Sequence, residues 1–359
     1  MNNYYGNGQP GGWQTPPQNN YSNSYGYANW YYAYNEQYQL EEKRQQEKKK
    51  IKKIGSLCGF AALLYVAISF GISFGLQIFF MILPPLAGVF QETAVILAFD
   101  TITSVLSLGI PFLVIYFILK RKGAVEGLPY EKPADVKSSV FLTMLSIPTM
   151  ILSSVAINFV SAIFQTMIGV EFTSNVGETN IATFSGIIMA TLSIAVVPAV
   201  IEEFAVRGAI MQPLRKYGDK FAIILSALFF SLLHGNMFQI PYTFVGGLIL
   251  GYLAVKTKSM WPPMILHFVN NGYSVIVMII SDLFGDDKGN ISAYIMWAAF
   301  IIIGVVGLVG YVVTRNKEHL SEGESVLKTG EKIKAFIQNI PMIIMIIVFG
   351  IMTLGSIVV

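Results

Sequence analysis

Charge is what this sequence has least of. Asp, Glu, Lys and Arg make up 13% of its 359 residues, about half of the roughly 25% usual in soluble domains. Hydrophobic residues reach 54% and mean hydropathy is +0.58. A chain so poor in charge cannot cover a water-facing surface of this length, which excludes a pair of ordinary soluble domains. The net charge of +3 is too small for a nucleic-acid footprint, so nucleic acid is not expected as a partner. Cysteine occurs once, as Cys58 inside an apolar run. That excludes a disulfide framework and a thiolate metal site, and leaves Cys58 as a small buried or lipid-facing hydrophobe. A cleavable leader is not expected either. The first apolar run begins near Ile54, far from Met1, and carries no Ala-x-Ala site.

What the chain does have is sorted along its length. Residues 1–40 are rich in Asn, Gln, Gly, Ser and Pro, hold nine of the 18 tyrosines and contain no Lys or Arg. With few aliphatic side chains to bury, this stretch is predicted to be a disordered cytoplasmic tail. Residues 41–53, EEKRQQEKKKIKK, carry seven basic and three acidic groups directly before an apolar run, the pattern of a cytoplasmic juxtamembrane cluster. Residues 54–359 then read as an all-α polytopic membrane domain. A hydrocarbon core of about 30 Å needs about 20 apolar residues as helix. Candidate spans are residues 54–84, 94–119, 139–169, 182–206, 221–237, 239–255, 261–284, 291–314 and 338–358. The fifth and sixth are short, so eight or nine transmembrane helices are expected. With the N-terminus inside, the cytoplasmic loops contain KRKG, RKYGDK, KTK and RNK, while the opposite loops VEFTSNVGETN and SDLFGDDKGN are acidic. Every loop then obeys the positive-inside bias.

Against this background a few polar residues are out of place. An ionisable side chain near the bilayer centre costs about 2.5–3.5 kcal/mol on insertion scales. Yet the fourth span runs out through IEEFAVRG, with Glu202 and Glu203 inside it and Arg207 just past its end. Glu203 and Arg207 are spaced to share one helix face and pair; Glu202 has no partner at that spacing. Pro198, one turn earlier, frees a backbone carbonyl. Of the three histidines, His234 and His267 lie in apolar spans five and seven, and His319 lies in a polar loop. Asn271 follows His267 by one helical turn, with Asn270 beside it. Carboxylate, imidazole and amide on three spans supply a base for water, a proton shuttle and hydrogen-bond donors to an oxyanion, a set suited to hydrolysis of an amide bond. Glu202, His234 and His267 are also a candidate donor set for Zn2+, although no His-Glu-x-x-His helix is present. Asp100, the other intramembrane acid, has no matching partner and reads as structural or cavity-lining.

These residues resemble the motifs of the CPBP family of intramembrane proteases, the group that includes CAAX prenyl endopeptidases and bacteriocin-processing or Abi proteins. Glu-Glu-x-x-x-Arg matches Glu202, Glu203 and Arg207; Phe-x-x-x-His matches Phe230 and His234; His-x-x-x-Asn matches His267 and Asn271. Each motif alone is weak, but the three in order on separate apolar spans are specific. The resemblance covers about residues 180–280, which it marks as the protease core. It implies an endopeptidase acting on membrane-associated peptides or proteins, with a site open to the cytoplasm. It further implies that Glu202 activates water with help from His234, that His267 and Asn271 form an oxyanion hole, and that Glu203, Arg207 and Phe230 support them. Both a zinc and a metal-free glutamate mechanism are compatible with such a set. A non-catalytic scaffold or immunity protein of the same fold, and a proton-coupled transporter, are the competing readings. The expected location is a lipid bilayer, taken as a bacterial plasma membrane, with the N-terminus cytoplasmic.

Overall fold

The computed structural model describes residues 24–84, 88, 92–125, 127–172, 181–315 and 319–358, with side chains from residue 35 onward. The chain divides into two compact units, Met1–Gln46 and Glu47–Val359. Helix α1 runs Ser24–Ile82, and so begins inside the stretch predicted to be disordered; the remainder of that stretch lies outside the described residues. The physical reason is propagation. Residues 41–53 are strong helix formers, no proline follows Pro17 before them, and extending an existing helix costs far less than nucleating one. In the first unit the side chains of Gln45 and Gln46 donate to Glu41 and Glu42 one turn back, at 2.6 and 3.0 Å.

In the second unit, α1 is followed by α2 (Thr93–Arg121), α3 (Val136–Ile168), α4 (Phe184–Arg215), α5 (Asp219–Leu233), α6 (Ile240–Thr257), α7 (Trp261–Phe284), α8 (Asp286–Thr314), α9 (Thr329–Ile337) and α10 (Ile340–Gly355). The helix starts are largely legible in the sequence. Asp135, Thr183 and Asn339 each accept the N–H three residues on, at 3.0 Å, and so cap α3, α4 and α10. The only strands among the described residues are β1 (Glu171–Phe172) and β2 (Ile357–Val358). They pair antiparallel, Glu171 with Val358 and Phe172 with Ile357.

Seven helices among the described residues are long and apolar enough to cross a membrane, or eight if α9 and α10, bent by 81°, form one broken span. The exception is α5. Its 15 residues rise about 22 Å at about 1.5 Å per residue, short of a hydrocarbon core of about 30 Å. The expected fifth span, residues 221–237, instead ends at Leu233, because Gly235 takes a left-handed φ of +62° and turns the chain. Helix α9 was not expected at all, since its amphipathic sequence lies within a polar loop. The outer surface is apolar to a degree that water would not tolerate: Phe184 is 81% exposed, Val313 80% and Phe159 67%. The protein is an integral membrane protein.

Contacts between loops sort the helix ends into two sets. At one end, the Met260 N–H donates to the Pro129 carbonyl at 2.8 Å, and the Asp219 carboxylate accepts the Ser321 N–H at 2.9 Å. There too, Lys332 donates to the Tyr217 carbonyl at 2.7 Å, and Glu47 accepts from the Ser325 hydroxyl and from the Val326 N–H. Burial, and then the charge of Glu47, push the Tyr217 phenol up to about 12. At the other end, the Ile181 N–H donates to Asp282 at 2.7 Å and the β1–β2 ladder closes. The first set gathers the loops rich in Lys and Arg.

Helices α3 and α8 form the most extensive helix pair. Gly304, Gly307 and Gly310 of α8 lie against Pro148, Leu145 and Phe141 of α3; a Cβ on Gly307 would meet the Phe141 carbonyl oxygen at 2.8 Å. Small residues permit this approach, and close packing takes the place of a hydrophobic driving force between helices in lipid.

Candidate active site

Helix α4 carries the chemistry because its backbone is irregular there. Two π-helical stretches, Thr191–Val196 and Phe204–Met211, flank the α-helical Val197–Glu203. Such widened turns re-aim side chains and gather at functional sites. In a regular helix the Ile194 carbonyl would receive the N–H of residue 198. Pro198 has none, and Asn271 on α7 donates its Nδ2 to that carbonyl at 2.9 Å instead.

The two glutamates have different surroundings. Glu203 and Arg207 are fully buried, and Arg207 Nη1 donates to Glu203 Oε1 at 3.0 Å. Arg207 Nη2 donates to the Gly247 carbonyl of α6 at 3.0 Å, and the guanidinium carbon lies 4.8 Å from the Phe230 ring centroid, a cation–π contact. Oε1 of Glu203 also accepts from His267 Nδ1 at 2.9 Å. That bond fixes the proton on Nδ1 and leaves Nε2 free. Nε2 lies 3.8 Å from Oε2 of Glu202, too long for a hydrogen bond. Glu202, by contrast, keeps 25% of its side chain exposed, so of the two carboxylates it is the reachable one.

A cavity of about 260 Å³ opens on Glu202 and is lined also by His234, Tyr65, Asn236, Gln239 and Phe230. His234 ends α5, and its Nδ1 bonds the Phe230 carbonyl at 2.9 Å, so here too Nε2 remains for chemistry. The Phe230 ring meets both imidazoles edge-on, at 4.9 Å from His234 and 6.2 Å from His267. Phe230 therefore braces Arg207 and both histidines at once.

The sequence-predicted residues thus come together, with one redistribution. Glu202 and His234 share the cavity. His267, 4% exposed, backs Glu202 and is not among the residues lining the cavity, and neither is Asn271. Asn271 spends one of its two Nδ2 hydrogens on a cross-helix bond. Nδ2 binds the Ile194 carbonyl, and Oδ1 accepts from Asn270 at 3.1 Å. Asp100 and His319 are exposed and do not line the cavity. Among the described residues no group of three His, Cys, Asp or Glu side chains is placed to hold a metal ion. Motif reasoning missed Tyr65 and Gln239. Their signal was present, as polar side chains in or beside apolar runs, but nothing in spacing alone connects α1 to α4.

The family model described as Type II CAAX prenyl endopeptidase Rce1-like matches residues 184–273, about a quarter of the chain. The match starts with α4 and ends within α7, enclosing Glu202, Glu203, Arg207, Phe230, His234, His267 and Asn271. No curated protein and no solved structure matches the chain. Part of this integral membrane protein is thus similar to CAAX-type endopeptidases, in keeping with the CPBP and Abi group.

Proposed function

We propose that this chain is an intramembrane endopeptidase that hydrolyses peptide bonds of membrane-associated proteins or peptides, with Glu202 as the base that activates water. The observation that carries the proposal is the division between the two carboxylates. Glu202 lines a cavity with His234, while Glu203 is sealed behind it in a chain of Arg207, Glu203 and His267. Glu202 takes a proton from water as the water oxygen adds to the scissile carbonyl carbon, and the carbonyl electron pair moves onto oxygen. When the tetrahedral intermediate collapses, the carbon–nitrogen bond breaks and the amine takes up the proton, delivered from Glu202 or through His234 Nε2. His267 packs behind Glu202, its Nε2 3.8 Å from Oε2, and limits where that carboxylate can turn. Glu203, Arg207 and Phe230 orient His267, and Asn271 clamps α7 to α4. No step is routed through a metal. In the orientation we propose, the N-terminus and the basic loop cluster are cytoplasmic, in a bacterial plasma membrane.

The test is cleavage of internally quenched transmembrane peptides by purified protein in nanodiscs. Loss of a general base typically costs about 10²–10⁴-fold, and E202Q is expected to lose kcat/KM by that order. Cleavage by E202Q within a few-fold of wild type overturns Glu202 as base. Peptide binding without cleavage by the wild type would leave the scaffold reading.

A further inference from the structure

The turn that joins α5 to α6 carries three polar side chains that line the cavity, His234, Asn236 and Gln239. Most of the hydrogen bonds that shape this turn are its own. The His234 N–H donates to the Ser231 carbonyl at 3.2 Å and the Gly235 N–H to the Leu232 carbonyl at 3.0 Å. Asn236 Nδ2 donates to the His234 carbonyl at 3.1 Å, and Asn236 Oδ1 accepts the Gln239 N–H at 2.8 Å. Among the described residues one bond reaches the turn from elsewhere. The Met237 N–H donates at 2.8 Å to the hydroxyl of Ser356, 119 residues further along the chain. Ser356 follows α10 and is 3% exposed. Its own hydrogen goes to the Thr353 carbonyl at 2.7 Å, which leaves an oxygen lone pair for Met237. Packing comes from the same side. Gly235 lies against Met352 and Phe349 of α10, and a Cβ there would meet Met352 Cε at 3.2 Å. Directly after Ser356 the β2 strand pairs with β1, so the position of the hydroxyl is itself tied down.

We propose, resting on the endopeptidase reading above, that Ser356 is a positioning residue for His234, fixing the α5–α6 turn by accepting the Met237 N–H. His234 closes α5, where the backbone ladder of the helix runs out. Its carbonyl is taken by Asn236 of the same turn, so the backbone of His234 is held only as firmly as the turn is. Without the hydroxyl the Met237 N–H loses its acceptor, and the turn shifts to find another. Displacing a reacting group by about 1 Å can cost about 10²-fold in rate. Ser356 touches neither Glu202 nor the cavity and acts through the turn alone. It lies far outside residues 184–273, the segment similar to CAAX-type endopeptidases. The proposed proton shuttle is therefore steadied by a helix end that the family match does not contain.

The experiment measures kcat and KM for wild type, S356A, S356T, H234A, the double variant H234A/S356A and E202Q on one internally quenched transmembrane peptide in nanodiscs. S356A is expected to lose about 10–10²-fold in kcat with KM within about two-fold, and S356T, which keeps the hydroxyl, to stay within about three-fold of wild type. In the H234A background S356A is expected to change kcat by less than about two-fold, because no imidazole is left to position. S356C keeps the shape with a weaker acceptor; it is expected to fall between S356A and S356T, and it carries the same comparison should S356A not fold. Amide hydrogen exchange gives a readout apart from cleavage: in S356A it is expected to rise over residues 234–239 and to stay as in wild type over α4 and α7. The assignment of Ser356 is overturned, with E202Q inactive and the base standing, by any of four results: S356A keeps kcat within about three-fold, S356T falls as far as S356A, the hydroxyl matters equally with and without His234, or exchange rises over α4 and α7 as well. If E202Q cleaves like wild type, the hydrolytic reading fails, and the role of Ser356 in it fails with it.

Discussion

Two helix pairs in this protein meet the same problem by opposite means. Helices packed in lipid gain little from hiding apolar surface, so something else must hold them. Between α3 and α8 the solution is steric. Gly304, Gly307 and Gly310 let the backbones approach until Phe141, Leu145 and Pro148 fill the seam. Between α4 and α7 the solution is polar: Glu203 to His267 at 2.9 Å and Asn271 to the Ile194 carbonyl at 2.9 Å, with Arg207 bridging onward to α6. The apolar seam tolerates no added atoms, and the polar one tolerates no missing partner. The polar seam puts the Glu202 carboxylate beside a cavity shared with His234, and the candidate chemistry sits there.

The contrast can be broken from either side. Removing one partner of a buried ion pair typically costs about 3–5 kcal/mol, so R207A is expected to lower stability by that order and to abolish cleavage, read by thermal unfolding in detergent beside the peptide assay. R207K is expected to restore little, because a single ammonium cannot reach both Glu203 and Gly247. On the steric seam, G307V is expected to cost about 1–3 kcal/mol by overpacking, with kcat of the folded fraction unchanged. A large kcat loss in G307V at full stability would erase the distinction between the pairs. Smaller again, N271A removes one cross-helix hydrogen bond and is expected to cost about 0.5–1.5 kcal/mol, seen as a small shift of the unfolding midpoint. The least effect is expected from chelation: dialysis against EDTA or 1,10-phenanthroline should leave cleavage within about two-fold. Loss of activity restored by added Zn2+ would show that Glu202, His234 and His267 rearrange around a metal.

The comparison also shows what the sequence discloses and what it hides. Long apolar runs announced α2, α3, α4, α7 and α8 because the bilayer sets a length that a chain must meet. Helix α5 was overextended because Gly235 ends it and apolarity alone does not register a turn. Helix α9 was missed because nine amphipathic residues in a charged loop give a weak signal. At the site, Glu203 and Arg207 could be paired from their spacing on one helix. The bonds from His267 to Glu203 and from Asn271 to Ile194 cross between elements, and no periodicity encodes them. Phe230 was expected in support, but its role as a common brace depends on three rings and a guanidinium meeting in space.

Pro198 leaves one carbonyl without its usual donor, and a side chain from another helix has taken the place. This ties the fates of two distant positions. Alanine at 198 alone would give α4 a better backbone and leave Asn271 competing for an acceptor already satisfied. Alanine at 271 alone would strand the carbonyl in an apolar interior. Changed together, the losses should partly cancel. Evolutionary drift at this seam is therefore expected to lose Pro198 before Asn271, since only in that order does the carbonyl keep a donor throughout.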